Sequence, residues 1–182
     1  MDYRIEKARP EDAGQMLAFL KAAGGESDNL SFGEEGLPLT EKQEAAYIRT
    51  VAKSQKSLML VAKTNGRIVG SCSIDAFPRR FSHRGELGIV IARECWHQGV
   101  GTALIKEAIR FAKEEAHLEV LSLEVRADNQ NAIALYEKFG FHRIGTFPKY
   151  FKIGDRCFDA ELMNPLSMID RRVKPDQVYL VV

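Results

Sequence analysis

Cysteine is scarce in this chain and poorly placed for cross-linking. Cys72, Cys95 and Cys157 are odd in number and widely separated, with no Cys-x-x-Cys pair, which excludes a disulfide framework and a thiolate metal or redox centre and points to reduced thiols. Charge of one sign is also missing. Lysine plus arginine number 26 against 25 aspartate plus glutamate, so no general attraction draws the chain to nucleic acid or an anionic membrane, and neither is expected as a partner. No apolar run approaches the length of a transmembrane helix, and Met1-Asp2-Tyr3-Arg4-Ile5-Glu6-Lys7 lacks the apolar segment of a signal peptide. A cytoplasmic protein is the expectation. His83, His97, His117 and His142 lack the i, i+4 pairing or cysteine companions of a zinc site, so no metal is predicted.

No Pro/Gly/Ser-rich linker or internal repeat divides the 182 residues, whose 45% hydrophobic content can bury one substantial core. Residues 1–166 read as one domain, and 167–182 as a tail of unknown role. Tyr3 to Lys7 alternates like a half-buried strand, and Pro10-Glu11-Asp12 starts a helix with Ala13, Met16, Leu17 and Leu20 on its apolar stripe. From Gly24 to Leu39 the periodicity fails, in a segment that is either a surface connection or the lining of a substrate entrance. Thr40 then caps a helix from Glu41 to about Lys53. Strands at 57–62 and 68–74 flank Asn65-Gly66, a hairpin signal.

The most informative junction comes next. A strand from about Glu86 to Ile91 leads to Gln98-Gly99-Val100-Gly101-Thr102-Ala103-Leu104, which opens a helix with Val100, Leu104, Ile105, Ala108, Phe111 and Ala112 on one face. Unpaired amides and partial positive charge at a helix N-terminus attract anions, and glycines let phosphate oxygens come close. The expected ligand is a phosphorylated cofactor. A P-loop does not fit, because Thr102 follows Gly101 where lysine is needed. The dinucleotide fingerprint fails at its third glycine, where Leu104 stands, and leaves a nucleotide-dependent oxidoreductase as a distant reading.

A strand over Leu118 to Val125 returns in parallel by a right-handed crossover. Asn129-Gln130-Asn131-Ala132-Ile133-Ala134-Leu135-Tyr136-Glu137-Lys138-Phe139-Gly140-Phe141 then gives a cap, a short helix and a glycine stop, followed by a hairpin of Phe141–Phe151 and Cys157–Met163. Together the two motifs resemble the GCN5-related N-acetyltransferase (GNAT) superfamily. Its acyl-CoA motif Q/R-x-x-G-x-G/A is met at Gly99 and Gly101, with Trp96 where Gln or Arg is usual, and Asn-x-x-Ala-x-x-Leu-Tyr-x-x-x-Gly-Phe at Asn129, Ala132, Leu135, Tyr136, Gly140 and Phe141. The likeness spans roughly residues 3 to 163.

That resemblance implies an α/β fold: a mixed, largely antiparallel sheet with a central parallel strand pair, flanked by helices. The two strands splay to admit pantetheine. It implies acetyl-CoA as acyl donor, with the amides of Gln98, Gly99, Val100, Gly101, Thr102 and Ala103 on pyrophosphate, and Ile89, Val90, Ile91 and Asn129 along pantetheine. Tyr136 becomes the general acid that protonates the departing thiolate, although spacing alone reads it as part of the helix's buried stripe with Ala132, Leu135 and Phe139. Glu86 is the candidate base, with His83, Asp75 and Glu124 as substitutes and a bulge in the strand leaving its register open. Cys95 as an acyl-enzyme nucleophile has no histidine at a recognisable activating motif. The expected activity is direct acetyl transfer to a primary amine of a small molecule or peptide. A homodimer is allowed, and a non-catalytic acyl-CoA-binding or regulatory module is the alternative.

Overall fold

The computed structural model describes residues 2–165, so the proposed tail at 167–182 lies outside the described residues. The chain runs β1 (Arg4–Lys7), α1 (Ala13–Glu26), α2 (Glu41–Lys53), β2 (Leu58–Thr64), β3 (Arg67–Ala76), β4 (Arg84–Ile91), α3 (Val100–Glu114), β5 (Val120–Arg126), α4 (Gln130–Glu137), β6 (Phe141–Ile153) and β7 (Arg156–Pro165). The strands form one sheet in the order β1-β2-β3-β4-β5-β7-β6. Neighbours are antiparallel except for the central β4–β5 pair, joined by α3. This is the mixed sheet that the two motifs imply.

Local chemistry explains most boundaries. Thr40 accepts from the Gln43 amide while the Gln43 side chain returns to the Thr40 amide, a reciprocal capping box that fixes the start of α2. Asn65 and Gly66 both adopt left-handed backbone, the geometry of a tight hairpin between β2 and β3. α1 continues to Glu26, two residues beyond the expected break at Gly24, and buries Phe19, Ala23 and Gly24 besides the anticipated Ala13, Met16 and Leu20. Leu17 is only partly buried.

Apolar clusters cover both faces of the sheet. On one face α3 buries Val100, Leu104, Ile105, Ala108, Phe111 and Ala112, joined by Ile133 and Tyr136 of α4. On the other, Met16, Phe19 and Leu20 of α1 and Ile48 of α2 pack with Val61 and Ile68. Full burial of each large aliphatic side chain contributes about 1.5–3 kcal/mol, enough to hold both helical layers against the strands.

Strand β4 departs from expectation in one respect. Its register against β3 is unbroken from Asp75↔Glu86 to Gly70↔Ile91, without the expected bulge. Leu87 enters the α3-side cluster, whereas Glu86 faces α1 and α2 by the alternation of side chains along a strand.

Candidate active site

β4 and β5 are paired only from Arg84↔Val120 to Glu86↔Ser122. Beyond that point β5 takes β7 as partner, from Leu123↔Met163 to Arg126↔Ala160, while β4 stays with β3. The strands therefore part, leaving the β5-facing edge of Leu87 to Ile91 without a strand neighbour. A cavity of about 1030 Å³ occupies the opening, at the upper end of the usual range for ligand sites. Leu87, Ile89, Val90 and Ile91 form one wall; Val125, Asn129, Leu135 and Tyr136 form the opposite one.

The α3 N-terminus closes one end. Gly99 is its N-cap at φ +84°, a left-handed conformation that glycine adopts without a Cβ penalty. The amides of Gln98, Gly99, Val100, Gly101 and Thr102 have no protein acceptor among the described residues. The amide of Ala103 does: it closes the first helical turn on the Gly99 carbonyl at 3.0 Å, so Ala103 leaves the expected amide cradle. Gln98 also stands off the cavity wall, its side chain folded back to donate to the Glu94 carbonyl at 2.6 Å. Gly101 serves close packing as well as anion approach, because a Cβ there would meet Leu135 Cδ2 at 3.2 Å. Trp96 donates its indole N–H to the Ile91 carbonyl at 2.9 Å, which ties the turn to the end of β4.

Tyr136 lies along the middle of the cavity. Only 7% exposed, it belongs to the α3-side core and also faces the opening, so packing and access to the cavity coexist. Burial, with a smaller contribution from Cys72, pushes its phenol well above the ordinary range and keeps it protonated at neutral pH. Asn129 accepts from the Ala132 amide at 3.2 Å, capping α4 while lining the cavity. Burial raises Cys95 and pushes Cys72 up to about 12, which removes thiolate character from both.

The opposite end is acidic. Asp75 faces Glu86 across β3 and β4, and the Glu86 and Glu124 carboxyls lie within hydrogen-bonding reach of one another. Burial and then the Glu86 charge push Glu124 up, which favours its protonated form. The strand register thus sets three of the four candidate bases in one row; Glu86 and Glu124 line the cavity, whereas Asp75 and His83 do not. Tyr150 of β6 lies beside the pair, its phenol raised by burial and by both glutamates.

Sequence reasoning missed Glu44, Tyr47 and Arg126. Tyr47 of α2 donates to Asp75 at 2.5 Å. Glu44, one turn earlier, is 2% exposed and lines the cavity, and its carboxylate has no hydrogen-bond or ion-pair partner among the described residues. The signal was present: Glu44 shares the buried stripe of α2 with Ile48 and Val51. Arg126 holds Asp128 through two bonds of 2.9 and 2.6 Å, donates to the Asp28 carbonyl at 2.9 Å and stacks 4.0 Å over Phe158. It anchors the segment after α1, where Asn29, Leu30, Phe32, Leu37 and Leu39 line the cavity. That segment is a cavity wall.

Comparison with known proteins matches residues 26–141 to the model of the Acetyltransferase (GNAT) family. An L-amino acid N-acetyltransferase of Escherichia coli is 35% identical over 105 residues, 57% of this chain and 65% of that protein, so the matched portion falls just short of two thirds of its length. An N-alpha-acetyltransferase of Sulfurisphaera tokodaii is 28% identical over 171 residues, covering 89% and 92% of the two chains. Among solved structures, an acetyltransferase of the GNAT family from Streptococcus pneumoniae superposes with a TM-score of 0.86 at 34% identity, covering 90% of this chain and 98% of that one.

The environment of Glu44 makes a stability prediction. Burial raises its pKa, so folding favours its protonated form, and its destabilising effect grows as pH rises from the unfolded carboxyl range through the raised folded value. Glu44→Gln is expected to raise the melting temperature of the ligand-free protein, more at pH 8 than at pH 4. Calorimetric melts at the two pH values check it.

Proposed function

Because the chain belongs to the acetyltransferase (GNAT) family, we propose that it transfers an acetyl group from acetyl-CoA to a primary amine by direct attack, with Tyr136 as general acid. The observation that carries this reading is a single cavity in which unpaired helix-terminal amides, the parted β4 edge, a buried phenol and a carboxyl pair follow one another. The names of the Escherichia coli and Sulfurisphaera tokodaii relatives support nitrogen as the acceptor atom.

Each part has a task suited to its chemistry. The amides of Gly99 to Thr102, at the positive end of the α3 dipole, suit the pyrophosphate, with the Gln98 amide beside them. Ile89, Val90 and Ile91 offer main-chain groups to the amides of pantetheine along the unpaired edge, although the Ile91 carbonyl already accepts from Trp96. Asn129 stands opposite. Acetyl-CoA supplies an activated thioester carbonyl. The neutral amine nitrogen attacks that carbon, a C–N bond forms, the C–S bond breaks, and the electron pair leaves on sulfur.

Two protons then need places to go. A lysine-like amine, with pKa about 10, arrives protonated at pH 7, and the Glu86–Glu124 pair accepts its proton directly or through water. As the amide forms the nitrogen loses a second proton; Tyr136 donates its own proton to the departing sulfur, for which a phenol kept protonated by burial is suited, and the proton leaving nitrogen restores the phenol directly or through water. A module that bound acyl-CoA without turnover would have no use for the carboxyl pair beside the gap. Turnover with amines therefore separates the two readings.

Three measurements check these roles. Gly101→Glu is expected to weaken acetyl-CoA binding sharply in calorimetry, through its charge and the crowding of Leu135; unchanged affinity in a folded variant would reject the cradle. Tyr136→Phe removes a hydroxyl and little volume, and should lower kcat by about 10²-fold or more with cofactor affinity less affected. Near-normal kcat would return Tyr136 to a packing role alone. Glu86→Gln should lower kcat/KM most at pH 6 to 7 and less at pH 9 to 10, where free amine becomes available without a base. A pH-independent defect would assign Glu86 to acceptor attraction.

A further inference from the structure

We propose that the acceptor is a dicationic amine, with its reacting nitrogen at Glu86 and Glu124, a second ammonium at Glu44, and no carboxylate beside either nitrogen. The inference deepens the amine-acetylation reading and rests on it for the reacting end.

Glu44 carries the argument because its setting is unlike that of the other shielded acids. Glu6 and Asp12 both bind Lys63, at 2.8 and 2.6 Å. Glu44 is more buried than any of these, yet no protein donor or cation meets its carboxylate among the described residues. A side chain this buried whose carboxylate opens only on the cavity is costly as an anion unless paired or protonated. Since this one lines the cavity, a cationic group of a ligand can supply the missing charge.

A second, separate feature fixes the sign of the reacting end. Asp75, Glu86 and Glu124 come from adjacent strands β3, β4 and β5 on the α1–α2 face, and Tyr47 links Asp75 to the helix that bears Glu44. Arg84 is the cation that acts on this row, lowering Glu124 slightly while lying 5.4 Å over Phe77. Among the described lining residues the one lysine or arginine is Lys138, beyond the C-terminus of α4. The acceptor end is therefore strongly negative. An α-amino acid would bring its carboxylate against Glu86 and Glu124, with Asp75 alongside them in the strand register, at a cost of several kcal/mol for like charges in a partly desolvated site. Met16, Leu20, Leu37 and Met59 line the same cavity and suit an alkyl spacer between two ammonium groups.

The test is calorimetric binding to the full chain with coenzyme A present, using pentane-1,5-diamine, pentylamine and L-lysine, alongside turnover of each with acetyl-CoA. The diamine is expected to bind at least about tenfold more tightly than pentylamine or lysine, the scale of one charge-assisted contact. Glu44→Gln should reduce that preference to within about twofold while its melting curve shows a folded protein. Equal affinity for diamine and monoamine, or a preference that survives in Glu44→Gln, would overturn the assignment. Turnover without diamine preference leaves amine acetylation standing and removes this inference. Diamine-selective binding without turnover keeps the ammonium site at Glu44 but removes the diamine as acceptor together with amine acetylation, and failure of all three amines to bind or react rejects both.

Discussion

The parting of β4 from β5 after three paired positions is the constraint on which the site depends. Main-chain groups inside a protein need partners, and strands that separate forfeit the ladder that would have supplied them. Here β5 recovers its bonds by turning to β7. β4 recovers them only on its β3 side, so one edge stays open to a ligand. The same separation leaves room for α4 to approach α3, with Leu135 against Gly101, and lets Tyr136 face the gap without leaving the core.

The parted strands also join the two faces of the sheet. Tyr136 reaches the opening from the α3 side, where an apolar cluster holds its phenol protonated. Glu86 and Glu124 reach it from the α1–α2 side, with Asp75 beside Glu86 in the strand register. A phenol and a pair of carboxyl groups thus approach one passage from opposite layers, with burial raising both Tyr136 and Glu124. Arg126 keeps the cavity wall that follows α1 in place by tying Asp28 to the β5–α4 turn.

Motifs read within about fifteen residues were legible because their physics is local. Every buried position on α3 follows from helical period alone, as does the Asn129 cap of α4, and the Asn65-Gly66 turn follows from backbone preference. Ala103 shows the limit of that resolution. A glycine-rich helix start announces a cradle, but which amides stay unpaired depends on where the first turn closes, and it closes on Ala103.

The amino-acid sequence by itself determined the element order, the cradle, the phenol and the family resemblance, since each resides in short spacings that any local conformation must respect. Tertiary structure decided what those pieces meet. Glu86 and Glu124 are neighbours only because two parallel strands align in one register, Arg126 finds Asp28 across 98 positions of chain, and Glu44 becomes a buried charge only when α2 docks on the sheet. Burial and inter-strand register are properties of packed surfaces, and packing between residues far apart in the chain leaves no periodic trace along it.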